Sequence, residues 1–278
     1  MISRPFLRAL ALGIAAALLI VLAWAGYQRW FSPAASGERP KLDVPYVATI
    51  EEVVDRMLDL AEVGPGDHVI DLGCGDGRIL IAATRGRGAT GYGVDLDPAR
   101  IREAEANARA AGVADKVRFE VRDLFATPIA DADVIAIYLL PEINLRLRPR
   151  FLSQLRPGTR VVSHAFDMGD WAPDRTTEIG TARVYLWIVP ADVAGRWTLT
   201  DPFGRTADIE IRQRYQQVAG TIATPSGTRT LGEVRLVGDR LRFTADLGGG
   251  ARVFEGRAVG TGIEPTQDGA AWRMSRAS

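Results

Sequence analysis

The chain has 278 residues, enough for one α/β domain of about 150 residues and a smaller second one. Its 34 Lys+Arg balance 34 Asp+Glu, so net charge recommends neither nucleic acid nor another polyanion as partner, and no nucleic-acid partner is expected. Cys74 is the single cysteine, which excludes an intramolecular disulfide and a cysteine-built metal centre, and no metal site is expected. From 9 to 26 the chain is uncharged and almost wholly apolar, with Arg4 and Arg8 before it and Arg29 after it. That length is at the short end for a spanning helix and long for the core of an export signal, and Trp24, Tyr27 and Trp30 stand where an interfacial aromatic belt would. Residues 1–30 are therefore read as a transmembrane anchor, with a cleaved export signal as the alternative. Arg29, Arg39 and Lys41 offset Arg4 and Arg8, so charge leaves the orientation open. Residues 31–43, with Pro33, Gly37 and Pro40, read as a linker.

Folded sequence is expected from Val44 onward. Ile50, Val53, Val54, Met57, Leu58 and Ala61 share one face of a helix. Strands are then expected at 68–71, 90–94, 117–121, 134–138 and 160–164, with helices after the first, second and fourth. Such alternation implies a Rossmann-like, doubly wound, mostly parallel α/β sheet over 44–190. After Pro190 the period changes to that of strands, at 207–212, 233–236 and 241–244, so 191–278 reads as a small antiparallel β domain. Gly238-Asp239 and the glycines at 248–250 suit tight hairpins, and no catalytic constellation is visible in this part.

The string His68-Val-Ile-Asp-Leu-Gly-Cys-Gly-Asp-Gly-Arg78 sets Gly73, Gly75 and Gly77 between an apolar strand and a helix. Glycines allow a sharp turn and close approach of a ligand at the carboxyl end of such a strand. A dinucleotide fingerprint would need its third glycine at position 78, where Arg78 stands, so pyrophosphate is disfavoured. Asp71 adds negative charge that repels phosphate and attracts an ammonium or sulfonium, as in S-adenosylmethionine. Asp95 ends the second strand at the spacing of a ribose-binding carboxylate. Asp123 follows the third strand and can accept from an adenine amino group, with Leu124 beside the ring. Asp97, followed by Pro98, reads as a helix cap and not as a ligand.

This order of a D-x-G-x-G-x-G loop, a strand-end acid and a further acid resembles the class I S-adenosylmethionine-dependent methyltransferases. The fourth strand ends Tyr138-Leu-Leu-Pro141 and not Asn-Pro-Pro-Tyr, which demotes nucleobase and glutamine acceptors. Val44-Pro-Tyr-Val-Ala-Thr49, Tyr138-Leu-Leu-Pro141 and Arg160-Val-Val-Ser-His-Ala-Phe166 resemble a narrower family, the archaeal broad-specificity and mitochondrial protein lysine methyltransferases. That family usually has proline where this chain has Ala48. The resemblance implies a protein substrate with an accessible lysine. Tyr46, Tyr138 and His164 are the candidates for positioning the acceptor, although Tyr46 reads equally as a packing aromatic and His164 as a hydrogen-bonded structural residue. Asp170 and Trp171 are expected in a loop on the same edge, bordering the acceptor entrance or anchoring the surface. A small-molecule or lipid methyltransferase, and a non-catalytic cofactor-binding module, remain as alternatives. Because the cofactor is made in the cytoplasm, an inner-membrane, single-pass protein with a cytoplasmic catalytic domain is expected, against export after cleavage.

Overall fold

The computed structural model describes residues 49–266 and 271–277. The expected anchor at 1–30, the linker at 31–43, Val44 and Tyr46 lie outside the described residues. Among the described residues no helix is long and apolar enough to cross a membrane.

The first layer of structure runs α1 (Glu51–Leu60), β1 (His68–Leu72), α2 (Arg78–Arg87), β2 (Thr90–Asp95), α3 (Pro98–Ala110), β3 (Val117–Val121), β4 (Val134–Ile137), α4 (Pro141–Gln154), β5 (Arg160–His164), β6 (Arg175–Ile179) and β7 (Ala182–Ile188). The strands form one sheet in the order β3-β2-β1-β4-β5-β7-β6. Pairings among β1 to β5 are parallel, and β7 runs antiparallel to both β5 and β6. The sheet is covered on both faces, so its central strand β4, Val-Ile-Ala-Ile, is buried at every position and carries no polar alternation. One apolar cluster joins Val53, Met57 and Leu58 of α1 to Leu80 and Val162, and the other joins Ile135, Leu147, Phe151, Trp171 and Trp187.

Helix starts follow local chemistry. Asp97 caps α3 by accepting from the Ala99 N–H at 2.8 Å, with Pro98 in the first turn. The α1 face is shorter than its sequence pattern, because Ile50 sits ahead of the helix in extended backbone and is 60% exposed. The hairpin of β6 and β7 was not expected. Its edge strand, Arg-Thr-Thr-Glu-Ile, has no fully buried position and so lacks an apolar signature.

The second sheet comprises β8 (Gly195–Thr200), β9 (Thr206–Arg214), β10 (Gln217–Thr224), β11 (Gly227–Thr230), β12 (Gly232–Val237), β13 (Arg240–Ala245), β14 (Arg252–Val259), β15 (Gly262–Pro265) and β16 (Arg273–Arg276). All its pairings are antiparallel, in the order β11-β10-β9-β8-β16-β15-β14-β13-β12. Only Leu231 separates the edge strands β11 and β12, so the sheet curls until its two edges meet. Its interior is filled by Trp197, Phe243, Phe254, Trp272 and their aliphatic neighbours. Gly238-Asp239 makes the expected two-residue turn, since Val237 pairs with Arg240. The glycines at 248–250 do not make a tight hairpin. They belong to a longer loop in which Asp246 Oδ1 accepts from the N–H groups of Gly248, Gly249 and Gly250 at 2.8, 3.0 and 3.0 Å.

Candidate active site

The carboxyl ends of β1, β2, β4 and β5 carry the candidate residues to one edge of the sheet, where parallel strands present ligands. After β1 the chain turns through Gly73, Gly75 and Gly77 at φ 92, 53 and 80°, a left-handed path that side chains resist. The N–H groups of Gly73 and Cys74 both donate to Val94 O at 2.9 Å, which ties the turn to β2. Gly77 is also sterically required, because a Cβ there would meet Phe119 Cζ at 2.7 Å and Ala104 Cβ at 3.0 Å. A Cβ at Gly73 would lie 3.0 Å from Leu139 Cδ2, so Leu139 flanks the loop from the β4 side.

Asp95 is held by two backbone donors: Gly75 N–H at 3.0 Å to Oδ2 and Asp97 N–H at 2.9 Å to Oδ1. A carboxylate has about four acceptor sites, so two such bonds fix its position and leave capacity for hydroxyl donors. Asp71 is 1% exposed, and its Oδ2 accepts no hydrogen bond among the described residues. Burial, reinforced by the charges of Asp95 and Asp76, pushes its carboxyl up to about 8. A buried, unpaired acceptor is costly and marks a place where a cationic or donating group would be compensated. Those features fit the ammonium and ribose of S-adenosylmethionine. Asp76 pairs with Arg78 at 2.5 Å, and Arg78 Nη1 donates to Thr49 O at 2.7 Å, so Arg78, which takes the place of a fingerprint glycine, ties the loop to the segment ahead of α1.

Asp123 stands elsewhere in the bonding scheme. It is exposed and caps the short turn Leu124–Ala126, accepting from Phe125 N–H at 2.8 Å, while Leu124 is 8% exposed. On the acceptor side, the Tyr138 and His164 rings lie 3.9 Å apart, and Phe166 stacks on Tyr138 at 6.4 Å. His164 Nδ1 is 3.2 Å from Thr49 Oγ1, and burial lowers the His164 pKa, which favours a neutral ring. Ala165 follows at φ 66°, a conformation that costs a non-glycine residue energy and reverses the chain straight after β5. Phe166 O then accepts from Ser163 Oγ at 2.7 Å and from Asn144 Nδ2 at 3.2 Å. A polar hollow lined by Ala165, Glu178, Arg183 and Tyr185 opens beside this turn.

Thr49, Asn144, Ser163 and Phe166 were not singled out in the sequence. Thr49, Ser163 and Phe166 stood inside quoted strings, but the link of Thr49 to His164 spans 115 positions and no local pattern encodes it. Trp171 corrects the expectation of an entrance or surface residue: it is fully buried, because its ring packs between Trp187 at 6.0 Å and Tyr215 at 5.9 Å. Among the described residues no group of three His, Cys, Asp or Glu side chains could hold a metal ion.

A seven-stranded sheet in this order with β7 reversed, and a glycine turn after β1 meeting acids at the ends of β1 and β2, defines a class I S-adenosylmethionine-dependent methyltransferase. Residues 71–175 match the ANTKMT methyltransferase domain. The chain is 40% identical over 151 residues to the protein-lysine N-methyltransferase of Saccharolobus islandicus, covering 52% of this chain and 94% of that protein. It is 32% identical over 149 residues to the adenine nucleotide translocase lysine N-methyltransferase of Mus musculus, covering 54% of this chain and 65% of the mouse protein. A solved structure from Salinibacter ruber, described as an RNA methyltransferase in complex with S-adenosyl-L-homocysteine, is 52% identical with a TM-score of 0.52, over 53% of this chain and 96% of that one. The chain belongs to the protein-lysine methyltransferase family.

Proposed function

We propose that the enzyme transfers methyl groups from S-adenosylmethionine to lysine amines of proteins, and that residues 9–26 anchor it in the inner membrane with the catalytic domain on the cytoplasmic side. The observation that carries the reading is the pairing of a turn built for a cationic cofactor, with Asp71 buried beside it, and an aromatic wall of Tyr138, His164 and Phe166 on the same sheet edge. The relatives from Saccharolobus islandicus and Mus musculus, both named as lysine N-methyltransferases, support the acceptor class by name.

Asp95 would hold the ribose hydroxyls and Asp71 the ammonium, with Gly73, Gly75 and Gly77 letting the cofactor approach the backbone. Leu124 would pack beside the adenine, and Asp123, with one oxygen engaged in its turn, would accept from the amino group through the other. S-adenosylmethionine supplies a methyl group made electrophilic by its sulfonium. A lysine amine must be neutral to accept it, which at pH 7 costs about 4.6 kcal/mol from a pKa of about 10.4. Tyr138 and Leu139 lower that cost by excluding water around the amine, since desolvation disfavours the ammonium form. Burial disfavours the charged form of His164, and with Thr49 Oγ1 3.2 Å from its Nδ1 the ring is suited to position the acceptor beside Tyr138.

The name of the Salinibacter relative makes RNA the second reading. The zero formal net charge weighs against it, because phosphate neutralisation by Lys and Arg supplies much of the affinity for RNA. Labelled methyl transfer into a lysate of the parent organism decides between them. Label in protein that disappears after reductive blocking of lysines supports the proposal. Label confined to RNA or to an organic extract defeats it.

A further inference from the structure

The segment from Phe166 to Ala172 follows the acceptor-side aromatics directly and belongs to no strand or helix, so its position depends on side-chain tethers. One set comes from α4: Asn144 Nδ2 donates to Phe166 O and Asp167 O, both at 3.2 Å, and Arg148 Nη1 donates to Met168 O at 2.7 Å and to Asp170 Oδ1. The other set comes from the tip of the β9–β10 hairpin in the second domain. Arg214 pairs with Asp170 Oδ2 at 2.5 Å, and Tyr215 Oη reaches the same oxygen at 3.2 Å. Gln216 uses both ends of its amide: its Oε1 accepts from Trp171 Nε1 at 3.0 Å, and its Nε2 donates to Ala172 O at 2.6 Å. The Tyr215 ring stacks on Trp171 at 5.9 Å.

Strain marks both partners. Tyr215 has φ 57°, a region in which a bulky residue persists only when its surroundings over-determine it, and Ala165 at φ 66° begins the tethered segment. The hairpin turn is two residues long, since Arg214 pairs with Gln217, so the tip is a rigid presenter of Tyr215 and Gln216. None of these bonds reaches the glycine loop, Asp71 or Asp95. The alignment with the archaeal relative occupies 94% of that protein and 52% of this chain, which leaves the relative no room for a nine-stranded addition.

We infer that the second domain is an acceptor-side clamp: Tyr215, Gln216 and Arg214 are positioning residues that hold the Phe166–Ala172 segment, and with it the wall formed by Phe166 over Tyr138, in register for the methyl acceptor. The inference rests on the methyltransferase function proposed above. A double variant of the full chain, Tyr215→Ala with Gln216→Ala, is compared with Tyr215→Phe, which keeps the ring over Trp171 and removes only the Oη contact. The double variant is expected to lose roughly tenfold to a hundredfold in kcat/KM for protein acceptor, the scale on which misplacing a reacting group acts. Its affinity for S-adenosylhomocysteine should stay within about twofold of wild type, Tyr215→Phe should recover most of the rate, and backbone amides of 166–172 should exchange faster than those of 73–77. Should the double variant fail to fold, Asp170→Asn, at an exposed position, removes the charge that Arg148 and Arg214 share and should give the same split. The clamp is overturned if acceptor kinetics are unchanged, or if cofactor affinity falls in step with kcat/KM. If wild type forms no S-adenosylhomocysteine with any acceptor, the proposed function fails, and the exchange of 166–172 still decides whether the hairpin holds the segment.

Discussion

Asp71 opposes the stability of the unliganded fold. Its carboxyl is pushed up to about 8 by burial and by Asp95 and Asp76, so the folded state keeps a proton that the unfolded chain releases near the ordinary carboxylate pKa of about 4. With more protons bound in the folded state, stability falls as pH rises through that window, by up to roughly 1.4 kcal/mol per pH unit. Asp71→Asn mimics the neutral acid, so without cofactor its advantage over wild type should grow between pH 5 and 8. Urea unfolding of both at several pH values checks this, and parallel curves would refute the shift. Asp95→Ala removes an acceptor that also secures Gly75 and Asp97, and should weaken S-adenosylhomocysteine binding ten- to a hundredfold, a charge-assisted bond being worth about 1.5–3 kcal/mol. Calorimetric titration gives the answer directly. Asp71 and Asp95 stand out in sequence as acids closing apolar strand-like runs, and the structure sets both at the carboxyl edge of the sheet, where Asp95 accepts from Gly75 N–H. Trp171 was misjudged because its burial depends on Trp187 and Tyr215, residues from another strand and another sheet.

Among elements, the glycine turn separates two effects that usually come together. Gly77 and Gly180 both have positive φ, 80 and 58°, but a Cβ at Gly77 would strike Phe119 while one at Gly180 meets nothing within 4 Å. Gly180→Ala should therefore cost about 1–2 kcal/mol, the penalty of a left-handed L-residue. Gly77→Ala should cost that and the displacement of Phe119 besides, about 1–3 kcal/mol more, and should lower cofactor affinity as the turn shifts. Denaturant midpoints of the two variants measure the difference, and equal losses would show that Phe119 yields freely. The five parallel strands and their helices were legible because apolar runs, caps and glycines repeat in register with the backbone period. The β6–β7 hairpin was not, since an edge strand with Thr, Arg and Glu facing solvent carries no such signal. The glycines at 248–250 looked like a hairpin because composition reveals permissive backbone and not the carboxylate, Asp246, that organises it.

For the whole molecule, the proposed orientation puts the catalytic domain where S-adenosylmethionine is made. A reporter that works only in the cytoplasm, fused after Ser278, should be active, and an active periplasmic reporter at that site would reverse the topology. That two domains exist was readable from the change of period after Pro190, but their contact was not, because it is made by tight turns, Tyr215-Gln216 on the irregular 166–172 segment and Gly238 against Gly158. The second sheet begins with β8, and its last described strand, β16, pairs with that same β8, Arg276 opposite Trp197. Ala277 N–H donates to Arg196 O at 3.0 Å, and Arg276 Nη1 to Ala194 O at 2.8 Å. The first and last described strands of this sheet are thus neighbours, which brings residues 194–196 and 276–277 together. A sheet whose first and last described strands adjoin keeps every strand pairing when an exposed turn is cut and residues 194 and 277 are linked, so circular permutation at such a turn should leave the second sheet folded.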